Sequence, residues 1–297
     1  MPSTKSPYQH GSTKVKIQPT DFVLEIGSGH NPRPRSNVLC DKFLVDDTQR
    51  GGQVVLDRPA VEADGQYLPF ADRTFDYVVC LHVLEHVEDP ALMISELERV
   101  ADRGYIETPS ELGERLYGWP YHNWILNQVD GKLLIQKKQV SDQFGQLFHL
   151  LAAKEPQFSK FHKAYHSLFL VQHEWQEKID YELISPEVPI LQKRLNDEAA
   201  TLVEDLVNTS FQERWSPILK QALSNILPAR VTTTLKLLLT KGRQHVSHPS
   251  LPEIIVCPLC KSSVEWEKSL ITCHDCDAIY PVVDQIPRLV PPENLIN

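Results

Sequence analysis

Four cysteines near the C-terminal end constrain the fold of this chain more than any other feature. They form two Cys-x-x-Cys pairs separated by twelve residues: Cys257 with Cys260, and Cys273 with Cys276. Two such pairs can place four thiolates at the corners of a tetrahedron, which predicts a structural Zn²⁺ site. A four-thiolate site has no open position for a reacting water, which argues against catalytic zinc. Four reduced cysteines without metal are the alternative.

The remaining cysteines, Cys40 and Cys80, lie singly at the ends of predicted strands and not in a disulfide framework. A reducing, cytoplasmic location is therefore expected. Residues 1–20 are polar, so we expect a flexible lead-in and not a signal peptide. No apolar run approaches the roughly 20 residues that a membrane-spanning helix needs.

Residues 21–110 alternate short apolar runs with turns. A helix is predicted at 90–100, where Asp89 can cap the first turn and Pro90 suits the first helical position. The predicted strands are 22–26, 37–41, 77–80 and 104–109. This alternation predicts an α/β fold with a doubly wound, mainly parallel sheet.

The rest of the chain is divided into three parts. Residues 111–240 are expected to complete the first domain as a substrate-binding, helical part, with helix predicted through most of 142–178 and again at 189–207. Glycine, serine and proline cluster at 241–252, which predicts a linker. Residues 253–293 are then a small zinc-ribbon domain.

A glycine turn, Gly27-Ser28-Gly29, follows the first predicted strand. Glycine lets the backbone turn sharply and approach a ligand closely. The third glycine of the dinucleotide fingerprint and the lysine of a triphosphate loop are both missing, so the turn alone is equally compatible with an ordinary tight turn. Asp41, however, ends the next predicted strand, where a carboxylate would bind ribose hydroxyls in an open α/β sheet.

Further motifs follow in order: Asp64-Gly65-Gln66-Tyr67-Leu68-Pro69-Phe70, Phe75-Asp76 and Leu84-Glu85-His86. Together with the glycine turn, they resemble the class I S-adenosylmethionine-dependent methyltransferases of the Leu-Glu-His-containing group over residues 20–110. The resemblance implies a Rossmann-like fold. Pro32 and Pro34 depart from the family where many relatives begin a helix, which predicts that this helix is shortened or displaced.

The same resemblance implies the cofactor contacts. The methionine part of the cofactor would lie beside Glu25, Gly27 and Gly29. Asp41 would bind the ribose, and Asp64 would accept from the adenine amino group with Gly65 nearby. His82 would face the methyl group or the acceptor.

Methyl transfer from a sulfonium is a direct displacement that needs proximity, alignment and sometimes a base. His82, His86 and His122 are the candidate catalytic bases, because imidazole titrates near neutral pH; anchoring a helix start is the alternative role of His86. The Asn/Asp-Pro-Pro-Tyr/Phe motif of enzymes that methylate adenine N6 or glutamine amides is absent after the fourth strand, which argues against those acceptors.

Residues 253–293 resemble the small zinc-ribbon activator subunit of tRNA, ribosomal-RNA and release-factor methyltransferases. This implies that the ribbon docks on the methyltransferase sheet within the same chain. The expected function is methyl transfer from S-adenosylmethionine. Because the net charge is −9 and no basic stripe is evident, a small-molecule or glycan acceptor is favoured over RNA. A non-catalytic cofactor-binding or scaffold protein is the third alternative.

Overall fold

The computed structural model describes residues 15–44, 52–139, 145–164, 166–186 and 247–292. The predicted helix at 189–207, residues 241–246 of the predicted linker and most of the lead-in lie outside the described residues.

A six-stranded sheet forms the centre of the molecule. Its first five strands are β1 (Val23–Ile26), β2 (Val38–Asp41), β3 (Ala60–Glu62), β4 (Tyr77–Leu81) and β5 (Arg103–Pro109). These five strands are parallel, in the order β3-β2-β1-β4-β5. They are short, apolar and almost completely buried, as expected for strands covered on both faces. The predicted doubly wound, Rossmann-like α/β fold is therefore confirmed.

Helix α1 (Pro90–Val100) has the predicted bounds. Asp89 accepts hydrogen bonds from the backbone N–H groups of Ala91 and Leu92 at 2.9 and 3.1 Å, so two of the free donors at the helix start are satisfied. The side chains buried on its inner face include Met93, Ile94, Leu97 and Val100.

The turn between β1 and β2 differs from the usual arrangement of this fold, because residues 27–37 form turns and no helix. The buried Glu25 carboxylate organises this segment. Its Oε2 accepts from the backbone N–H of Arg33 at 2.8 Å and from the Ser36 hydroxyl. The Arg58 guanidinium donates hydrogen bonds to the carbonyls of Arg33 and Ser36 and so stabilises the same segment.

The middle part contains the strands β6 (Trp124–Val129), β7 (Lys132–Lys137), β8 (Leu170–Gln176) and β9 (Tyr181–Ile184). Its helices are α2 (Glu111–Tyr117), α3 (Gly145–Lys154), α4 (Pro156–Ala164) and α5 (His166–Phe169). A second sheet has the order β6-β7-β9, and β8 joins the main sheet antiparallel to β5.

The prediction of helix up to residue 178 was wrong for β8. Val171, His173 and Trp175 are buried, whereas Gln172 and Glu174 between them are partly exposed, which is the two-residue period of a strand. Polar residues on both faces concealed this period in the sequence.

The ribbon consists of α6 (Leu251–Ile254), β10 (Glu265–Trp266), β11 (Leu270–Thr272), β12 (Ile279–Val283) and β13 (Ile286–Pro287). Its four strands form one sheet in that order. Within the described ranges, no helix is long and apolar enough to cross a membrane.

The ribbon packs against the β3 edge of the main sheet. Arg288 forms a parallel bridge with Glu62, and the backbone N–H of Leu289 donates to the Glu62 carbonyl at 2.7 Å. A second, antiparallel bridge joins Phe70 to Ile255. Ile255 and Leu289 belong to the same buried apolar cluster as Phe70. The ribbon thus covers an edge that would otherwise present unpaired backbone groups.

A partly buried ion pair reinforces this contact. The Lys261 ammonium lies 2.7 Å from Oε2 of Glu96 on α1 and also donates to the Leu68 carbonyl at 3.3 Å. Arg99 holds the same Glu96 carboxylate from the other side.

Candidate cofactor site and zinc centre

The glycine turn after β1 packs closely against the loop after β4. Gly27 has a φ of +73° and Gly29 a φ of +51°, which is the left-handed region that favours glycine. A Cβ on Gly27 would lie 2.2 Å from Cγ2 of Val83. Any side chain at position 27 would therefore push the two loops apart.

Asp41 lies at the carboxyl end of β2 and is 8% exposed. Its Oδ2 accepts from the Gly29 N–H at 3.1 Å, and its Oδ1 accepts from the Phe43 N–H at 3.0 Å. These two bonds fix the carboxylate beside the glycine turn at the edge of the sheet where open α/β folds bind ligands.

Asp64 follows β3 at the same edge and is buried. Its Oδ1 accepts from the Gln66 N–H at 2.9 Å, and its Oδ2 lies 2.6 Å from the ammonium of the half-exposed Lys42. Gly65 lies against α1, since a Cβ there would be 2.9 Å from the Met93 Cε atom. The lysine is thus the surface-facing partner of a carboxylate that the backbone holds in place.

His82 follows β4 with a φ of +52°. Its Nδ1 lies 3.5 Å from Glu85 Oε1, and its Nε2 lies 3.5 Å from Glu107 Oε1. Burial alone would lower the pKa of His82, but the neighbouring carboxylates of Glu107 and Glu85 outweigh it and raise the pKa to about 9. His82 is therefore a cation at neutral pH and must lose a proton before it can act as a base.

Glu107, at the end of β5, completes this group. Its Oε2 accepts from the Tyr105 hydroxyl at 2.6 Å and from the Gln172 amide at 2.9 Å. The side-chain amide of Gln172 comes from β8, so the strand that the sequence did not reveal orients a carboxylate beside His82.

The loop 118–123 brings His122 to His86. The backbone N–H groups of Asn123 and Trp124 donate to the Glu85 carbonyl at 2.8 and 3.2 Å. The rings of His86 and His122 are nearly perpendicular, with centroids 4.6 Å apart. Burial lowers the pKa of His86, which keeps this imidazole neutral.

Glu85 interacts electrostatically with all three candidate histidines. The sequence did not identify it as a site residue. It is 1% exposed. Burial raises its pKa, but His82, His86 and His122 overcome this effect and lower the pKa to about 2. Its position in the Leu-Glu-His segment was the only signal available, because its contact with His122 comes from a distant part of the sequence.

The four cysteines of the ribbon converge. Cys257 Sγ lies 3.5 Å from Cys276 Sγ, and Cys260 Sγ lies 3.4 Å from Cys273 Sγ. All four sulfurs lie within 4.8 Å of one another. Zn–S bonds of about 2.3 Å place tetrahedral sulfurs roughly 3.8 Å apart, so the residues fit a zinc ion. His274 instead contacts Glu265 at 2.8 Å on the surface.

Comparison with known proteins gives one family match. Residues 39–106 match the family described as "Methyltransferase domain". This segment contains Asp41, Asp64, His82, Glu85 and His86, which are five of the acids and histidines that the fold collects at one edge of the sheet.

Other similarities are partial. The mouse (Mus musculus) protein "preY, mitochondrial" is 35% identical over 49 residues, which are 16% of this chain and 44% of that protein. A SAM-dependent methyltransferase of Thermotoga maritima is 19% identical, with 32% of this chain and 46% of that chain covered and a TM-score of 0.25. This chain thus spans less than half the length of either protein.

A complex of the Haloferax volcanii Trm112 methyltransferase activator with a methyltransferase is 13% identical. The similarity covers 56% of this chain and 86% of that chain, with a TM-score of 0.36.

Proposed function

We propose that this chain is an S-adenosylmethionine-dependent methyltransferase with a structural zinc ribbon that stabilises its cofactor domain. One observation carries the proposal. The glycine turn, Asp41, Asp64 and His82 meet at the carboxyl edge of a sheet whose strands have the order β3-β2-β1-β4-β5. That edge is where open α/β sheets bind their ligands.

Each residue has a role that suits its surroundings. Asp41 binds the ribose hydroxyls, because its carboxylate is already oriented by Gly29 and Phe43. Asp64 accepts a hydrogen bond from the adenine amino group. Lys42 either leaves the Oδ2 atom free for this bond or donates to the same oxygen. Gly27 and Gly29 leave room for the methionine part, and Glu25 shapes the loop that borders it.

His82 positions the acceptor in this proposal and does not deprotonate it. A raised pKa makes it a hydrogen-bond donor at neutral pH, held between Glu85 and Glu107. Burial lowers the pKa of His86, so its ring stays neutral and keeps a lone pair on one nitrogen. Its ring stacks on Tyr121 at a centroid distance of 5.5 Å.

A small molecule or glycan is the favoured acceptor. The aromatic side chains of Trp119 and Tyr121 both contact His122, with ring centroids 4.9 and 5.1 Å from it, and thus form an apolar wall beside His86 and His122. Such a wall suits a compact acceptor, and the net charge of −9 does not favour a long polyanion.

The assignment is tested by incubating the protein and methyl-labelled S-adenosylmethionine with two cell fractions. One fraction contains small molecules and glycans, and the other contains RNA. Label should enter the small-molecule or glycan fraction and not the RNA fraction. If RNA is labelled instead, and the yield of labelled RNA falls steeply with added salt, RNA becomes the favoured methyl acceptor. Cofactor binding without transfer to either fraction would support the non-catalytic alternative.

A further inference from the structure

Glu85, His86 and His122 bring three metal-binding side chains together outside the ribbon. One ligand atom from each lies within 4.8 Å of the other two. Glu85 is 1% exposed and His122 is 7% exposed, so the group is built into the interior and is not a chance cluster of surface charges.

The Glu85 carboxylate is paired more weakly than a buried charge normally is. Among the residues that the structure describes, no hydrogen bond of ordinary geometry reaches either of its oxygens. Its nearest cation is His82, whose Nδ1 is 3.5 Å from Oε1. Buried charges are usually paired and hydrogen-bonded, or they coordinate a metal.

His86 shows the same feature. Its Nδ1 is buried and, within the described part of the chain, has no hydrogen-bond partner. The ring also has a hydrogen bond with the backbone of Tyr121, which leaves Nδ1 as the available lone pair.

His122 is oriented as metal-binding histidines usually are. Its Nδ1 lies 2.5 Å from Oε2 of the buried Glu114, and Lys138 holds the other oxygen of that carboxylate. A carboxylate on one ring nitrogen fixes the tautomer and leaves the other nitrogen, here Nε2, as a ligand.

We propose that Glu85, His86 and His122 form a second metal site, which binds a divalent transition-metal ion such as Zn²⁺. Two imidazoles and one carboxylate are a donor set that such ions prefer. Bonds of about 2.0–2.2 Å place tetrahedral ligands roughly 3.4 Å apart, which is compatible with three ligand atoms that all lie within 4.8 Å of one another.

Three protein ligands leave a fourth position open. This open position suits an oxygen of the acceptor. That use of the metal rests on the proposed methyl transfer, whereas the metal site itself does not.

Zinc counting tests the site on the full chain, dialysed against a zinc buffer that holds the free ion at about 1 μM. Wild type should retain about two zinc ions per chain, because the four-thiolate site and the site formed by Glu85, His86 and His122 each hold one ion. His122→Gln, and separately the isosteric Glu85→Gln, should retain about one. His149→Gln is the matched control, because its ring contacts Tyr117 and Trp119 in the same aromatic group but supplies no ligand.

Cobalt substitution distinguishes the two sites, since thiolate ligation gives charge-transfer absorption that nitrogen and oxygen ligands do not. The variants should lose only the cobalt without thiolate character. An unchanged thiolate signal shows that each variant is folded. One zinc per chain in wild type, or equal counts in wild type and both variants, would overturn the proposal, whether or not the protein binds S-adenosylmethionine.

Discussion

Cys273→Ser should release the zinc of the ribbon and destabilise the ribbon together with the β3 edge. Structural zinc sites contribute apparent free energies of about 10–16 kcal/mol in zinc-finger peptides, so losing one thiolate of four removes a large part of the stability of so small a module. The effect should extend beyond the ribbon, because Ile255 and Leu289 share a buried cluster with Phe70.

Two measurements check this prediction. A thiol-specific mercurial should release about one zinc per chain from wild type and almost none from Cys273→Ser. Hydrogen exchange should then increase in β12, in β13 and at Leu289, whose N–H donates to the Glu62 carbonyl. His274→Gln is the control, because His274 lies between Cys273 and Cys276 in the sequence but its ring contacts Glu265 on the surface. A serine variant with wild-type exchange and metal content would exclude the zinc-ribbon assignment.

Asp64→Ala should weaken S-adenosylmethionine binding by roughly 10- to 150-fold, since hydrogen bonds to a charged group are worth about 1.5–3 kcal/mol. The fold should remain intact, because within the protein the Asp64 carboxylate bonds to its near neighbour Gln66 and to the half-exposed Lys42. The Lys42 ammonium can turn to water when the carboxylate is removed.

Calorimetric titration of wild type and variant measures this loss directly. Asp57→Ala is the matched control: this exposed acid pairs with its neighbour Arg58 at 2.7 Å, so its removal should leave the affinity unchanged. Equal affinities for Asp64→Ala and wild type would show that the adenine is not bound at Asp64.

Local signals in the sequence were sufficient for much of the fold. The bounds of α1 could be predicted because Asp89, Pro90 and the apolar stripe all act within a few residues. Four of the five parallel strands stood out as short apolar runs, whereas the three-residue strand β3 was not predicted. The glycine turn and the cysteine pairs are compact motifs whose spacing already encodes their geometry.

Features that depend on contacts between residues distant in the sequence could not be predicted from local signals. Strand β8 alternates histidine and tryptophan with glutamine and glutamate, and only its pairing with β5 makes it a strand. The turns at 27–37 are fixed by the Glu25 carboxylate and by Arg58 from beyond β2. The proximity of Glu85 to His122 becomes visible only once the loop 118–123 has folded against it.

Titration of the zinc-loaded, full-length protein with S-adenosylmethionine tests the central claim most directly. We predict saturable binding of about one cofactor per chain, with a dissociation constant between about 1 μM and 1 mM, and competition by S-adenosylhomocysteine. No saturable heat at several millimolar cofactor, from protein that is folded and holds its ribbon zinc, would contradict the account.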